Sequence, residues 1–377
     1  MDFEFSDEQE QLRDAVRRWV DKDFAFERRH ALAKAGGKTR QVLGELNNLG
    51  LAGLAVPEAH GGMGFGAVEA MVVMEELGRG LVNAPYAQAA LVAPTLLSGA
   101  SAAVQADWLP RIASGEALVV LAQQERSSRY RLHQVSMRAS ESAGNWRLSG
   151  TKTVVPAGDE ADAFIVSARV AGADDDADGI ALFLVERGAV GVSTKGYPTQ
   201  DGARAADLVL NDAPGLLITR QGHAALEHGV DVGIAALCAE AVGLMDRMVA
   251  LTVDYMHQRK QFGVAIASFQ ALRHRIADVK MQLELGRSMS YFASLKLAEA
   301  APQRRRALSQ AKVQLGNSMR FVGQQCTQIH GGIGVTDEYI SSHYFKRLTI
   351  LEMTFGDTLH HLGQASARMQ DSAGVFA

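Results

Sequence analysis

Hydrophobic residues recur every three or four positions over roughly the first 114 residues, which is the spacing of one face of an α-helix. Ser6 stands directly before an acidic run, and apolar residues follow it at helical spacing: Leu12, Val16, Trp19 and Val20. A serine followed by acidic residues is typical of a helix start, because the hydroxyl caps free N–H groups and the charges suit the helix dipole. Further helices are predicted at about 40–50, 67–80 and 86–98.

The pattern changes between about Ala117 and Asn211, where short β-prone runs are separated by Gly, Asp and Asn turns. The predicted strands lie at 117–122, 135–139, 146–149, 153–155, 163–167, 179–185 and 207–210. From about Gly222 the helical spacing returns in long stretches, predicted at 224–258, 267–299, 302–329 and 337–370. Four such helices packed antiparallel form a bundle.

The sequence therefore predicts an α+β fold that is mostly α, built from three domains. The first is a helical domain over residues 1–116, the second a β domain over 117–213, and the third a helical bundle over 214–377. Because the helices of the third domain are long and carry apolar stripes, they are candidates for packing against another subunit.

Composition narrows the class of protein further. The chain has 377 residues, 47% of them apolar and 21% charged, with a formal net charge of −4, so nothing favours a nucleic-acid or acidic-membrane partner. No window approaches 18 uninterrupted apolar residues, and the N-terminus is acidic where signal peptides are basic. Cys238 and Cys326 lie in apolar helical stretches without a C-x-x-C pair, which predicts buried free thiols, no metal site and a cytoplasmic protein.

Two motifs carry the candidate chemistry, and both lie in helical surroundings with no strand signal nearby. The first is Arg259–Gly263, followed by Gln270, and the second is Gln328–Gly334, with glycines at 331, 332 and 334. A fixed cation together with glycines that let backbone N–H groups approach a ligand suits the binding of a pyrophosphate.

Taken together, the order of domains and these motifs resemble the acyl-CoA dehydrogenase superfamily over essentially the whole chain. Further segments match in family order: Ser6–Gln9, Val56–Glu58 with Gly61 and Gly62, Glu75–Gly78, Leu148–Lys152 and Gln328–Gly332. The resemblance implies an N-terminal helical domain, a middle β-barrel-like domain and a C-terminal four-helix bundle. It also implies an oxidoreductase that dehydrogenates an acyl-CoA thioester between Cα and Cβ, in fatty acid or steroid degradation, with electron-transfer flavoprotein or another acceptor.

FAD is the cofactor that the resemblance implies, and the residues matching its ADP end are Arg259, Phe262, Gln270, Gln328, Gly331 and Gly332. The flavin end departs from the family. Val154 stands where the family has a tryptophan that covers the ring, and Pro156 replaces a threonine whose hydroxyl reaches flavin N5. Gln124 occupies another position that is usually threonine.

The catalytic base is missing as well. In the family a glutamate removes the Cα proton, and that position is Phe355 here, which cannot accept a proton. A second branch places its glutamate at a position that is Gly233 in this chain. The nearby carboxylates are weak candidates for a relocated base, since each is expected to serve as a helix cap or ion pair: Asp231, Glu240, Glu352 and Asp357.

Three segments look like the small-subunit branch of the family, which includes pimeloyl-CoA dehydrogenase small subunits and paired steroid side-chain dehydrogenases: Gly196–Gly202, His343–Arg347 and Phe355–His361. In the family, FAD lies across a subunit interface. A chain with an intact ADP end and no base is therefore expected to serve a competent partner in an α₂β₂ tetramer. The helices at 267–299 and 302–329 should then lie at the interface, with Ser268–Gln270 and Phe321–Gln325 near a neighbouring chain.

Three alternatives remain open. The first is a self-sufficient homotetrameric dehydrogenase with a relocated carboxylate base, and the second is a flavin monooxygenase on the same fold. The third is a DNA-binding member of the superfamily, for which the sequence offers only the short basic run Arg304–Arg306. The acyl group of the substrate is not specified by the sequence.

Overall fold

A computed structural model describes residues 5–372 of the chain. Its first helix begins as the sequence predicts. The Ser6 hydroxyl accepts a hydrogen bond from the Gln9 backbone N–H at 3.3 Å, and the Gln9 side chain accepts one from the Ser6 N–H at 3.0 Å. This reciprocal pair satisfies two N–H groups that a helix start leaves without partners. Val16, Trp19 and Val20 form the buried face of the helix.

Within residues 5–372, six α-helices precede the strands of the main sheet, and five follow them. The first six are α1 Asp7–Asp23, α2 Phe26–Lys34, α3 Arg40–Asn48, α4 Ala67–Arg79, α5 Ala93–Leu97 and α6 Ala102–Ala113. A π-helical segment, Ala87–Val92, leads directly into α5. The later helices are α7 Gly222–Gln258, α8 Gln270–Lys296, α9 Ala301–His330, α10 Ile340–Met353 and α11 Thr358–Ser372. Within residues 5–372, no helix has the length and apolar character needed to cross a membrane.

The middle of the chain forms a seven-stranded sheet. Its strands are β1 Val119–Ala122, β2 Arg138–Ser142, β3 Asn145–Pro156, β4 Ala163–Arg169, β5 Ile180–Glu186, β6 Val192–Pro198 and β7 Arg204–Thr219. The order is β1-β4-β2-β3-β7-β5, and β5 pairs back onto β4, which closes the sheet into the barrel-like form that the family resemblance implies. The interior is apolar, with Phe164, Phe183 and Leu208 fully buried.

Three details of the sheet differ from the sequence prediction. The two predicted runs at 146–149 and 153–155 are one strand, β3, interrupted by register shifts against β7 on either side of Gly150–Lys152. Strand β6 was not predicted, because it contains a glycine and a proline and few apolar residues, and it forms by pairing along β7. Strand β7 continues to Thr219, beyond position 213 where the sequence places a domain boundary.

The chain divides into two compact units. One comprises the residues up to His30, Ala67–Val82 and the residues from Ile234 onward, and the other comprises Ala31–Gly66 and Asn83–Gly233. The first unit therefore holds α8 to α11, and the second holds the sheet.

The single helix predicted at 337–370 is wrong. Helix α10 ends at Met353 and α11 begins at Thr358, and between them Phe355 has φ +58° and Gly356 has φ +116°. A left-handed phenylalanine costs roughly 1–2 kcal/mol, and the apolar spacing across the break gives no sign of it. Tertiary contacts hold the turn in place. Both cysteines are buried free thiols, as predicted.

Candidate functional site

The first motif follows the end of α7 and forms a small hairpin. Strand β8, Lys260–Gln261, pairs with β9, Val264–Ala265, so the expectation of no strand near this motif is wrong. Phe262 and Gly263 at the tip have φ of +54° and +82°, which a tight two-residue hairpin requires. The Phe262 side chain is 92% exposed.

The second motif ends helix α9. Helix α9 stops at His330, and Gly331 follows with φ +66°, which leads into a 3₁₀ turn over Gly331–Val335. A Cβ built on Gly331 or on Gly332 would meet no heavy atom within 4 Å. The backbone at these two glycines is therefore open to a ligand, which is the property that a phosphate-binding turn needs.

A small apolar cluster brings the two motifs together. Met256 near the end of α7, Ile266 after the hairpin and Ile329 at the end of α9 are buried against one another. Next to this cluster, the Tyr255 hydroxyl donates a hydrogen bond to the His330 carbonyl at 3.2 Å, and the two rings lie 4.5 Å apart. The hairpin and the glycine turn therefore lie side by side, although they are distant in sequence.

The six residues matched to the ADP end all lie on the surface at these two motifs or at the start of α8: Arg259, Phe262, Gln270, Gln328, Gly331 and Gly332. Arg259 has no ion-pair partner within residues 5–372. Gln270 is the first residue of α8, whose start has no side-chain cap. An exposed cation, an open glycine backbone and an uncapped helix N-terminus are chemically suited to a diphosphate, so the residues present fit the ADP end of FAD.

The turn that carries Phe355 is held from several sides. Buried Lys312 on α9 donates hydrogen bonds to the carbonyls of Leu351 at 2.7 Å and Glu352 at 2.8 Å, at the end of α10. Burial lowers the pKa of Lys312 to about 8, against nearby groups that raise it. His361 donates through Nε2 to the Phe355 carbonyl at 3.0 Å.

The carboxylates near this turn have structural partners. Glu352 accepts hydrogen bonds from the Thr358 backbone N–H and hydroxyl, and Asp357 accepts one from the His360 backbone N–H at 2.8 Å, so both cap the start of α11.

The other two carboxylates lie on α7. Glu240 forms a two-point ion pair with Arg347 at 2.6 and 2.9 Å. Asp231 is fully buried, and Gly233, which the resemblance matches to the base position of a second branch, lies in the helix interior. Glu240, Glu352 and Asp357 are therefore each engaged in a cap or an ion pair.

The positions that the resemblance matches to the flavin end lie on strand β3 and in the segment after β1. Lys152 is fully buried and pairs with Glu125 at 2.6 Å, a pair that the sequence analysis did not identify. Burial lowers the pKa of Lys152 to about 8. Burial acts to raise the pKa of Glu125, but the charge of Lys152 and the hydrogen bonds from Lys152 and Ser136 together outweigh it, so the pKa lies below its ordinary value.

Beside that pair, β3 bulges. The Thr153 N–H donates to the Gln124 carbonyl at 2.8 Å, and Val154 has φ +54° with its side chain 47% exposed. The Val154 N–H donates to the Tyr197 hydroxyl at 3.2 Å, and Pro156 has no N–H to donate. An isoalloxazine ring presents acceptor atoms along its edge and needs donors opposite them. The Val154 N–H is already engaged and Pro156 has none, so neither of these two residues presents a free backbone donor to that ring.

Three family models match the chain in this order: the acyl-CoA dehydrogenase N-terminal domain over residues 6–116, the middle domain over 121–213 and the C-terminal domain over 220–370. The chain belongs to the acyl-CoA dehydrogenase family. Members of this family are FAD-dependent oxidoreductases that act on CH–CH bonds, so acyl-CoA is the expected class of substrate and FAD the cofactor.

Individual relatives agree with this assignment. Isovaleryl-CoA dehydrogenase, mitochondrial, from Pongo abelii is 30% identical over 76% of this chain and 71% of its own length. Among solved structures, the Tcur3481–Tcur3483 steroid acyl-CoA dehydrogenase superposes with a TM-score of 0.87 at 29% identity, covering 97% of this chain and 98% of that one. The ChsE4–ChsE5 complex from Mycobacterium tuberculosis gives 0.87 at 25% identity, covering 98% and 99%.

Proposed function

We propose that this chain is the base-lacking subunit of a heteromeric, FAD-dependent acyl-CoA dehydrogenase. The observation that carries the proposal is the turn between α10 and α11. It carries Phe355, the residue that the family resemblance matches to the base, while Glu352 and Asp357 on either side of it are engaged in capping α11. Removal of a Cα proton needs a group with a free lone pair and a suitable pKa. A hydrocarbon ring provides neither.

A relocated base is disfavoured by the same contacts. The hydrogen bonds that Glu352 accepts from Thr358 favour its ionised form, so a proton taken from substrate would weaken the cap at the start of α11. Glu240 would have to give up its part-buried two-point ion pair with Arg347. Protonation is therefore unfavourable at both Glu352 and Glu240, which disfavours either residue as a base in this chain alone.

The ADP end of the cofactor is the part that this chain is equipped to hold. When bound, FAD accepts the hydride that leaves Cβ of the acyl group in this family. In our proposal the Arg259 guanidinium binds the diphosphate, and the open backbone at Gly331 and Gly332 lies against it, with Gln270 and Gln328 beside the ADP moiety. The Gly331 N–H itself bonds to carbonyls at the end of α9. The isoalloxazine ring is assigned to a partner chain, because on β3 the Val154 N–H is engaged by Tyr197 and Pro156 has no N–H to offer.

The assembly that follows is an α₂β₂ tetramer with half the usual number of active sites. Similarity to two solved proteins whose names join two chains, Tcur3481–Tcur3483 and ChsE4–ChsE5, supports pairing with a different subunit. It also favours the small-subunit, steroid side-chain branch of the family. Electron-transfer flavoprotein or another acceptor would reoxidise the flavin of the pair.

Helices α8 and α9 are proposed to form the subunit contact. Helix α8 exposes large apolar side chains, Met281, Leu285 and Leu295, and the FAD motifs at the start of α8 and the end of α9 expose Phe262 and Val335. Apolar side chains repeated along one exposed helix favour an obligate interface. Such an interface is expected to bury more than about 2,000 Å².

The proposal is tested by co-expression with a homologous chain that carries glutamate at the position of Phe355. The two chains are expected to co-purify 1:1 with one FAD per pair, and the isolated chain should show no flavin bleaching with acyl-CoA. Met281→Glu should separate the pair, whereas Val190→Glu, at a residue 85% exposed in a loop of the sheet unit, should not. Robust dehydrogenation by the isolated chain would refute the assignment.

A further inference from the structure

The bulge in β3 leaves one backbone donor outside the sheet. Lys152 pairs with Leu208 and Val155 with Ala206, and the register shifts between these two pairs. Val154 therefore falls outside the ladder with β7, and its left-handed φ turns its N–H away from the usual strand geometry. A donor freed in this way is what a cofactor ring edge would require from this strand.

A tyrosine from another strand accepts a hydrogen bond from this Val154 N–H. The Tyr197 hydroxyl accepts the hydrogen bond from the Val154 N–H at 3.2 Å, and it donates its own proton to an Asp207 carboxylate oxygen at 3.2 Å. Tyr197 lies on β6 and Asp207 on β7, so the contact spans from β6 past β7 to β3. Burial, followed by the Asp207 charge, raises the pKa of Tyr197, which keeps the phenol protonated as a donor.

We propose that Tyr197, oriented by Asp207, closes the flavin end of this chain's own cofactor site, so that its β domain seats no isoalloxazine ring. The closure deepens the proposed function and rests on it, since that function assigns the ring to a partner chain. Tyr197 is a positioning residue, because it holds the Val154 N–H in a hydrogen bond and so keeps that donor from a ring. Pro156, two residues later, has no backbone N–H to replace it. No other chain is needed for the closure, because Tyr197, Asp207 and Val154 all belong to the sheet unit.

The hydrogen bond from the Val154 N–H to the Tyr197 hydroxyl can be tested without FAD and without a partner chain. Amide hydrogen exchange at Val154 is measured by NMR on the full-length chain and on Tyr197→Phe, which removes only the hydroxyl. Loss of one hydrogen bond worth about 1.4 kcal/mol is expected to speed exchange at Val154 about tenfold, with the β4 and β5 amides unchanged. Ser193→Ala removes an exposed hydroxyl from the same strand and should leave Val154 unaffected. Equal protection of Val154 in the wild type and Tyr197→Phe would overturn the closure.

A titration with FAD separates this inference from the proposed function. Adding FAD to the wild-type chain is expected to shift the amide resonances of Gly331 and Gly332 and to leave Val154 where it is. A shift at Val154 of the wild type would overturn the closure, because the ring would then reach β3. Unmoved resonances at Gly331 and Gly332 would instead count against the proposed ADP end, and the exchange experiment would still decide the closure.

Discussion

The carboxylate of Glu352 accepts two hydrogen bonds from Thr358, one from its backbone N–H at 3.0 Å and one from its hydroxyl at 2.7 Å. It therefore caps a helix that begins six residues later. We expect Glu352→Ala to lower the free energy of unfolding by about 1–2 kcal/mol, because the cap is lost. Urea denaturation measures the change. Glu338→Ala, at an exposed acidic residue, is the control and should lie within about 0.5 kcal/mol of the wild type.

A second variant at this position, Glu352→Gln, tests whether Glu352 is catalytic. If the carboxylate is only a cap, Glu352→Gln in the assembled pair keeps an acceptor oxygen and should leave kcat within a small factor of the wild type. A loss of several orders of magnitude in kcat at unchanged stability would show that Glu352 is a relocated base.

Restoring a carboxylate at the base position should not restore activity. Phe355→Glu is expected to fold, because Lys312 and His361 hold the turn through the backbone carbonyls of Leu351, Glu352 and Phe355. Dehydrogenation by the isolated variant should stay absent, since the flavin end on β3 is unchanged. Phe355→Leu is the matched control for the loss of the ring. Flavin bleaching by isolated Phe355→Glu would show that this chain seats its own flavin.

Arg259 is expected to retain FAD through its charge. Arg259→Ala in the assembled pair should weaken FAD binding by roughly 1.5–3 kcal/mol, about tenfold to 150-fold, because a charge-assisted contact to the diphosphate is lost. Equilibrium dialysis of FAD measures the change. Lys260→Ala removes the neighbouring exposed cation and should have a smaller effect. If Arg259→Ala and the wild type bind FAD with equal affinity, the Arg259 charge interacts only with the C-terminal end of helix α7 and not with FAD.

The buried histidine beside Phe355 predicts a dependence of stability on pH. Burial, with the charges of Lys312 and His360, lowers the pKa of His361 from 6.5 to about 3. As pH falls from 6.5 to about 3, His361 is protonated in the unfolded chain but stays neutral in the folded chain. The free energy of unfolding therefore falls across this window.

The measurement compares the wild type with His361→Gln at pH 7 and pH 5 by urea denaturation. The wild type should lose about 2 kcal/mol more than the variant over this range, at 1.36 kcal/mol per unit of pKa shift. Equal losses in the two proteins would mean that His361 is protonated in the folded chain.

Much of the architecture follows from local sequence. Ser6 predicts the start of the first helix because capping depends on residues within one helical turn. The order of helical, β and helical stretches follows from the spacing of apolar residues. The free thiols of Cys238 and Cys326 were expected from their apolar surroundings and are found buried. The exposed glycine turn after α9 lies where the glycines in the sequence place it.

The sequence missed features that depend on distant partners. Strand β6 has weak strand character of its own and is recruited by β7. The Lys152–Glu125 pair joins residues on different segments, and no local pattern signals it.

The sequence by itself indicated the order of the domains, the residues suited to a diphosphate, and a phenylalanine, Phe355, where the family resemblance places the base. Only the tertiary structure showed that helix α10 stops before Phe355 and that Glu352 accepts hydrogen bonds from Thr358. It also showed that the Tyr197 hydroxyl accepts a hydrogen bond from the Val154 N–H. The physical reason is that helical and strand periodicity are local and repeat many times along the chain. A left-handed phenylalanine or a single hydrogen bond between strands is locally unfavourable or neutral, and only contacts from elsewhere in the fold stabilise it.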